Sequence, residues 1–240
     1  MTSQRPFAVF DIDGTVIRWQ LYHAIGDQLA KAGLVKNNEF SRVRRARMNW
    51  KKRNSEDSFK EYEETLVTVF DEALKGISLA EFKQAVGKVF DDYKEQVYTY
   101  TRDLIEELRS KDYILFALSG SPDFIVDLFA KFYDFDDYAG TVYTIKEGRF
   151  TGKSNVAVGQ KAVLLELLIK KHNLNYSGSV GVGDSESDIP VLELCDRPIA
   201  FNPTKSLFEY AKQAGWQIVL ERKNVIYKLE TVNGKYSLVI

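Results

Sequence analysis

A chain of 240 residues with 45% apolar content, 15 Phe and 13 Tyr is long enough for one large domain, or a domain carrying an insertion, around a sizeable core. Its net charge of −1 excludes binding of nucleic acid or acidic membranes by bulk charge, and no apolar run is long enough to span a bilayer. One cysteine, Cys195, excludes an internal disulfide, and MTSQRP runs into the first strand without a signal peptide, so a soluble cytoplasmic protein is expected. Residues 7–10, FAVF, predict a short buried strand that runs into Asp11 and Asp13, then Gly14 and Thr15. Strand side chains alternate, so the two carboxylates start on one side, and Gly14 permits a sharp departure. At about 4 Å and an effective dielectric near 20 they repel by roughly 4 kcal/mol, so a cation, a proton or a lysine must offset them. For a DxDG taken alone, a solvated strand-end turn is the plainer alternative.

Residues 16–34 predict a helix with Leu21, Ile25 and Leu29 at steps of four, ended by Gly33. Residues 42–53, RVRRARMNWKKR, hold seven basic residues and no acid, and predict another helix. Trp50 among the cations fits an anion-binding or nucleic-acid face. The preferred reading is a solvated face balanced by Glu56, Asp57, Glu61, Glu63 and Glu64. Ser58-x-x-Glu61 and Ser78-x-x-Glu81 have the spacing of capping boxes. They open helices striped by Phe59, Tyr62, Leu66, Val69, Phe70 and Ala73, and by Leu79, Phe82, Val86, Val89, Phe90 and Tyr93. Residues 19–98 therefore predict an all-helical insertion, with 1–18 plus 99–240 as the core.

From residue 100 strands and helices alternate. A helix over 101–111 precedes a strand over 113–119, and Gly120-Ser121-Pro122 opens the next helix, with Ser121 as cap and Pro122 at its first position. Residues 141–151 predict a hairpin turning at Glu147-Gly148. A helix over 160–171, a strand in SVGVGDSESDIP ending in carboxylates, a strand at 199–201 and a helix at 205–214 follow. The tail, 225–240, predicts a hairpin around Asn233-Gly234 with no assigned function. The alternation predicts an α/β fold, a parallel sheet with helices on both faces and ligands at the carboxyl ends of its strands. That edge gathers Asp11, Asp13, Ser119, Asp184 and Asp188, and Lys161 opens a helix between the strands that end in Ser119 and Asp184. Clustered carboxylates suit Mg²⁺ beside phosphate oxygens, a hydroxyl followed by glycine at a helix start suits a phosphate, and lysine adds a point charge. Lys153 rivals Lys161; Lys161 is preferred because it follows a Gly-Gln turn and opens an amphipathic helix.

FDIDGT, ALSGS, GQK and GDSESD, in that order, resemble the four motifs of the haloacid dehalogenase-like phosphohydrolases, and most of all the phosphoserine phosphatase-like branch. GRFTG at 148–152 and AFN at 200–202 match further segments of that branch, and the resemblance spans 7 to about 220. It implies a Rossmann-like core with a helical cap as lid, and a Mg²⁺-dependent phosphomonoester hydrolase working through an aspartyl-phosphate. It implies Asp11 as nucleophile and metal ligand, and Asp13 as general acid, then base, lending its backbone carbonyl to the metal. Ser119 and the Gly120 amide would hold the phosphate, and Lys161 would neutralise the phosphoryl oxygens and Asp11. Asp184 would bind Mg²⁺, and Asp188 would orient the metal's waters or Lys161.

The chain departs from that pattern in places. Ser187 stands where many relatives have Asn; Gln20 stands where phosphoserine phosphatases carry an acid for the substrate ammonium; and no arginine for the serine carboxylate is evident around 63–65. The acids Glu61, Glu63 and Glu64 would repel a substrate carboxylate if they faced the site. The partner expected is thus a small-molecule phosphomonoester other than phosphoserine, with no nucleic acid and no membrane. Gln20, Trp19 and Trp50 are the candidate specificity residues. A phosphotransferase or mutase using the same intermediate is one alternative, and a non-catalytic protein binding through the basic helix is another.

Overall fold

In a computed structural model, residues 5–35, 40–53, 55, 58–223, 225–232 and 235–239 are described. The first strand, β1 (Phe7–Asp11), is buried at every residue. Its alternate side chains enter two cores: Ala8 and Phe10 pack toward the helical insertion, while Phe7 and Val9 pack on the opposite face with Phe116, Leu165 and Ile169. A strand covered on both faces reads as an unbroken apolar run, which is why FAVF does not alternate.

The chain then turns tightly, the amides of Thr15, Val16 and Ile17 all donating to the Ile12 carbonyl. It enters the expected helix at α1 (Leu21–Lys31), followed by α2 (Ser41–Lys51), α3 (Ser58–Leu74), α4 (Leu79–Tyr93) and α5 (Thr99–Ser110). Next come β2 (Ile114–Pro122), α6 (Asp123–Phe132), β3 (Asp137–Lys146), β4 (Arg149–Asn155), α7 (Lys161–Lys171) and β5 (Val180–Gly183). The chain ends with α8 (Ile189–Leu192), β6 (Arg197–Phe201), α9 (Lys205–Ala214), β7 (Gln217–Arg222), β8 (Val225–Val232) and β9 (Lys235–Val239). The strands form one sheet in the order β4-β3-β2-β1-β5-β6-β7-β8-β9.

β1 pairs in parallel with β2 on one side and β5 on the other. The sheet first grows outward through β2 and β3, then crosses β1 and grows the other way through β5, β6 and β7. Where the two directions part, a crevice opens above the carboxyl ends of β1, β2 and β5. The antiparallel strands β4, β8 and β9 extend the edges.

Local expectations fail where a tertiary contact outweighs them. Ser58 lies inside α3 and its hydroxyl donates to the Ser55 carbonyl, so the first capping box does not form, whereas Ser78 and Glu81 exchange both bonds of theirs. Ser121 does not cap a helix: β2 continues to Pro122, which pairs with Thr141 of β3, and the Thr141 hydroxyl donates to the Gly120 carbonyl at 2.6 Å. The Glu147-Gly148 turn forms with φ of 51° and 74°. The Asn233-Gly234 turn and the balancing acids Glu56 and Asp57 lie outside the described residues.

The helical insertion docks on the β3–β4 hairpin through its backbone. Gly76 donates to the Phe150 carbonyl, Phe150 to that of Ile77, and Leu79 to that of Gly148. The Asp71 carboxylate accepts from the Tyr143 and Ser154 hydroxyls, each at 2.9 Å. The two chain crossings are tied to each other, Arg18 donating to the Gln96 carbonyl and Tyr98 to that of Val16. Buried Glu221 of β7 braces this hinge: it accepts from the Thr99 and Tyr100 amides that open α5 and pairs with Arg18.

Candidate active site

Asp11 ends β1, Asp13 lies in the turn beyond it, Lys161 opens α7, and Asp184 and Asp188 flank the loop after β5. Lys161 Nζ lies 2.7 Å from Asp11 Oδ1 and 2.6 Å from Asp188 Oδ1, and all three residues are buried. The second oxygen of Asp188 accepts from the amides of Asp184 and Ser185, each at 3.0 Å. Asp188 thus holds both the lysine and the loop that carries Asp184. Asp13 accepts from the Leu21 amide at the start of α1 and from the Ser119 hydroxyl, both at 2.6 Å. One carboxylate thereby joins the sheet to the first helix of the insertion.

Gly14 has φ of +81°, and a Cβ built on it would lie 2.1 Å from Asp184 Oδ2. A side chain there would displace that carboxylate, so this turn requires glycine on both counts. Carboxylate oxygens of Asp11, Asp184 and Asp188 all lie within 4.8 Å of one another. Burial pushes the Asp11 carboxyl up to about 8 against the pull of Lys161, with Asp188 and Asp13 adding to the rise. Burial, then repulsion from Asp11 and Asp188, holds Asp184 well above the ordinary carboxylate range. Burial also raises Asp13, opposed by the bonds from Ser119 and Leu21. Burial alone would depress Lys161, but Asp11 and Asp188 outweigh it and keep the ammonium protonated. Among the described residues, the second Asp11 oxygen and both Asp184 oxygens have no hydrogen-bond partner. This hard, oxygen-only donor set fits Mg²⁺, whose charge would favour the ionised carboxylates.

A cavity of about 530 Å³ opens above these groups. Asp11, Asp13, Lys161, Asp184 and Gly120 form its floor, and Phe59, Glu63 and Val67 of α3 face them. Gln20 lines this cavity and also an adjoining one of about 890 Å³. Ser119 does not reach the cavity surface: it is fully buried, its hydroxyl held between Asp13 and the Ser121 amide. Asp188 also lies beneath the floor, bonded to Lys161. Trp19 and Trp50 line only the adjoining cavity; Trp50 stacks on Tyr62 with centroids 5.4 Å apart, and Trp19 lies under the Arg47 guanidinium. The rival Lys153 is an exposed residue of β4.

Glu63 is a lining residue that the sequence offered only conditionally, among acids that balance the basic helix or repel a substrate carboxylate. The signal was its spacing: Phe59, Glu63 and Val67 recur every four residues and share one helical face. Burial, then repulsion from Glu186, pushes the Glu63 carboxyl up to about 7. Its surface remains open to solvent, so the group stands in a recess rather than in the packed core.

The family model described as haloacid dehalogenase-like hydrolase matches residues 8–193. The chain belongs to that family. This haloacid dehalogenase-like hydrolase is 28% identical over 230 residues to the phosphoserine phosphatase of Lactococcus lactis subsp. lactis (strain IL1403), covering 94% of each chain. It is 23% identical to the histidinol-phosphatase of Neisseria meningitidis serogroup C (strain 8013), covering 88% of this chain and 97% of the other. A crystal structure of a protein of unknown function from Bordetella pertussis Tohama I matches its fold with a TM-score of 0.74 at 21% identity, covering 90% and 98% of the two chains. A phospho-aspartyl intermediate analogue of phosphoserine phosphatase matches with a TM-score of 0.63 at 20% identity, covering 92% and 96%. The family match and the phosphatase names of both curated relatives support an enzyme of phosphatase type, and the solved structures share its fold. No helix among the described residues is long and apolar enough to cross a membrane.

Proposed function

We propose that the protein is a Mg²⁺-dependent phosphomonoester hydrolase that acts on a small phosphorylated metabolite through an aspartyl-phosphate on Asp11, with 19–98 as the lid over the core. The observation that supports this reading is the Lys161 bridge between Asp11 and Asp188 at the lining of the cavity, which engages Oδ1 of Asp11 and would leave the other oxygen for phosphorus. That oxygen would form the bond to phosphorus as the bond to the ester oxygen breaks. Asp13, raised by burial and held by Leu21 and Ser119, would give its proton to the departing alkoxide. It would then take one from the water that hydrolyses the aspartyl-phosphate. Lys161 would offset charge on the phosphoryl oxygens and the Gly120 amide would hold the phosphate, while Ser119, beneath the cavity, would brace Asp13. Asp11, Asp184 and the Asp13 backbone carbonyl would hold Mg²⁺, whose charge stabilises the phosphoryl group in transfer.

Phosphoserine fits this cavity poorly. Its ammonium and carboxylate both need partners once the lid excludes water, and an unpaired buried charge typically costs several kcal/mol. No arginine lines the cavity among the described residues, and Gln20 is neutral. A buried single cysteine accords with a cytoplasmic setting, which belongs to the same reading. The test is phosphate release from a panel of phosphomonoesters, with Mg²⁺ and with chelator, and with acceptor alcohols added. Release that needs Mg²⁺ and is lost in Asp11→Asn supports the proposal. Full activity in excess chelator, or phosphoserine as best substrate by tenfold in kcat/KM, would sink the corresponding half of it.

A further inference from the structure

Resting on the phosphatase reading, we propose that Glu63 selects the substrate by pairing with a positively charged amine on the leaving alcohol. The substrate class is then an amine-bearing phosphomonoester without a carboxylate. Glu63 stands on α3 between Phe59 and Val67 and faces Asp11 and Asp13 across the cavity where a leaving group must sit. Among the described residues it forms no ion pair and no hydrogen bond. Lys161, the buried cation nearest to it in effect, is held by Asp11 and Asp188. Lys60, three residues earlier on the same helix, lines both cavities and forms no ion pair with it.

Charge around the cavity supports the assignment. Its lining carries the carboxylates of Asp11, Asp13, Glu63, Glu64, Asp184 and Glu186 against the lysines Lys60 and Lys161. Lys161 and a divalent cation compensate the three aspartates. Glu63, Glu64 and Glu186 remain, opposed by Lys60 alone, so the space for the leaving group is negative. A carboxylate entering it would be repelled, and an ammonium attracted. The Gln20 carbonyl can accept from the same ammonium, and the Phe59 ring offers a face to it. An ammonium partner would also relieve the repulsion from Glu186 that helps hold the Glu63 carboxyl high. The cations Arg18, Arg47, Arg53 and Lys205 line only the adjoining cavity; of these Arg18 is paired with Glu221, and Arg47 lies over Trp19 and touches His23.

The experiment compares ω-aminoalkyl, ω-hydroxyalkyl and ω-carboxyalkyl phosphates of matched chain length, ethyl to hexyl, with the full chain in Mg²⁺. At the best chain length the amine is expected to exceed the hydroxyl compound by about tenfold in kcat/KM, near 1.4 kcal/mol, with the carboxylate worst. Glu63→Gln should abolish that preference, mainly through KM, and Glu63→Lys should invert it toward the carboxylate; melting temperatures confirm that each variant is folded. Hydroxyl and amine compounds within threefold at every length, an unchanged ratio in Glu63→Gln, or a preferred carboxylate would overturn the inference while leaving the phosphatase standing. If no ester, p-nitrophenyl phosphate included, is hydrolysed, the phosphatase reading fails. Calorimetric binding of the same compounds to wild type and Glu63→Gln then decides the inference alone: equal affinities refute it, and amine-selective binding lost in the variant supports it.

Discussion

The strand-end wall of the cavity and the α3 wall facing it differ in how their polar groups are held. On the strand side, Lys161, Asp188, Asp13 and Ser119 are locked to one another or to backbone amides. One carboxylate oxygen each of Asp11, Asp184 and Asp188 lies within 4.8 Å of the others. On the α3 side, Glu63 is unpaired and its neighbours Phe59 and Val67 are apolar. The far end of the same helix is anchored, Asp71 being bonded to Tyr143 and Ser154. A locked wall keeps one geometry for any substrate, which reaction chemistry needs; an unlocked wall leaves a charge for the substrate to satisfy, which selection needs. Changes to the strand wall should therefore lower turnover of every ester alike, and changes to α3 should alter ratios between esters.

Asp11→Asn breaks the strand wall most severely. The amide is nearly isosteric but is neither a competent nucleophile nor a good metal ligand. We expect kcat to fall by about 10³-fold or more for every ester, with circular dichroism unchanged. A loss confined to some esters would erase the distinction between the walls. Gly14→Ala tests the geometry rather than the chemistry. Its Cβ would meet Asp184 Oδ2 at 2.1 Å, and an ångström of displacement is worth about 10²-fold in rate. Activity of this variant at the wild-type level would show that Asp184 need not sit where it does.

Cation and pH act on the same wall through stability. At a hundredfold excess over its Kd, Mg²⁺ should stabilise by about 2.7 kcal/mol and raise Tm by roughly 5–10 °C. Asp11 is raised from 3.8 to about 8 in the folded chain, so folding favours its protonated form. The stability this contributes is present below about pH 4 and is lost as pH rises through about 8. In chelator, wild-type Tm relative to Asp11→Asn should fall across that window, and Mg²⁺ should reduce the fall. A difference independent of pH would contradict the raised carboxyl. The smallest effect belongs to the anchored end of α3. Asp71→Ala removes two hydrogen bonds to a charged group on a half-buried site and should cost about 1–2 kcal/mol. Hydrogen exchange should quicken in residues 70–79, with kcat nearly unchanged. Protection undisturbed there would mean that the hairpin contact does not anchor the helical insertion.

Much of the fold was determined by the sequence itself, because its signals are local. FAVF is apolar without alternation since both faces of β1 are covered. Glu147-Gly148 supplies the two positive φ values that its hairpin needs. Four motifs at strand ends implied convergence, since a parallel sheet brings the carboxyl ends of its strands to one edge. The Gly-Gln turn before Lys161 and the helix it opens favoured it over Lys153, and Lys161 is the lysine that reaches Asp11. Tertiary structure alone decided the rest, where partners lie far apart in sequence. The Ser119 hydroxyl is turned to Asp13, across 106 residues, rather than to the cavity. Glu221 braces Arg18 from a strand whose short apolar stretch left no periodic signal. Trp19 and Trp50 pack beside Arg47 and Tyr62 instead of over Asp11. Glu63 shares a cavity with Asp11 and Asp13 because of how α3 is pinned to β3 and β4. Helical periodicity shows which side chains share a face; which neighbour that face meets is set by the packing of distant elements, and no local pattern encodes it.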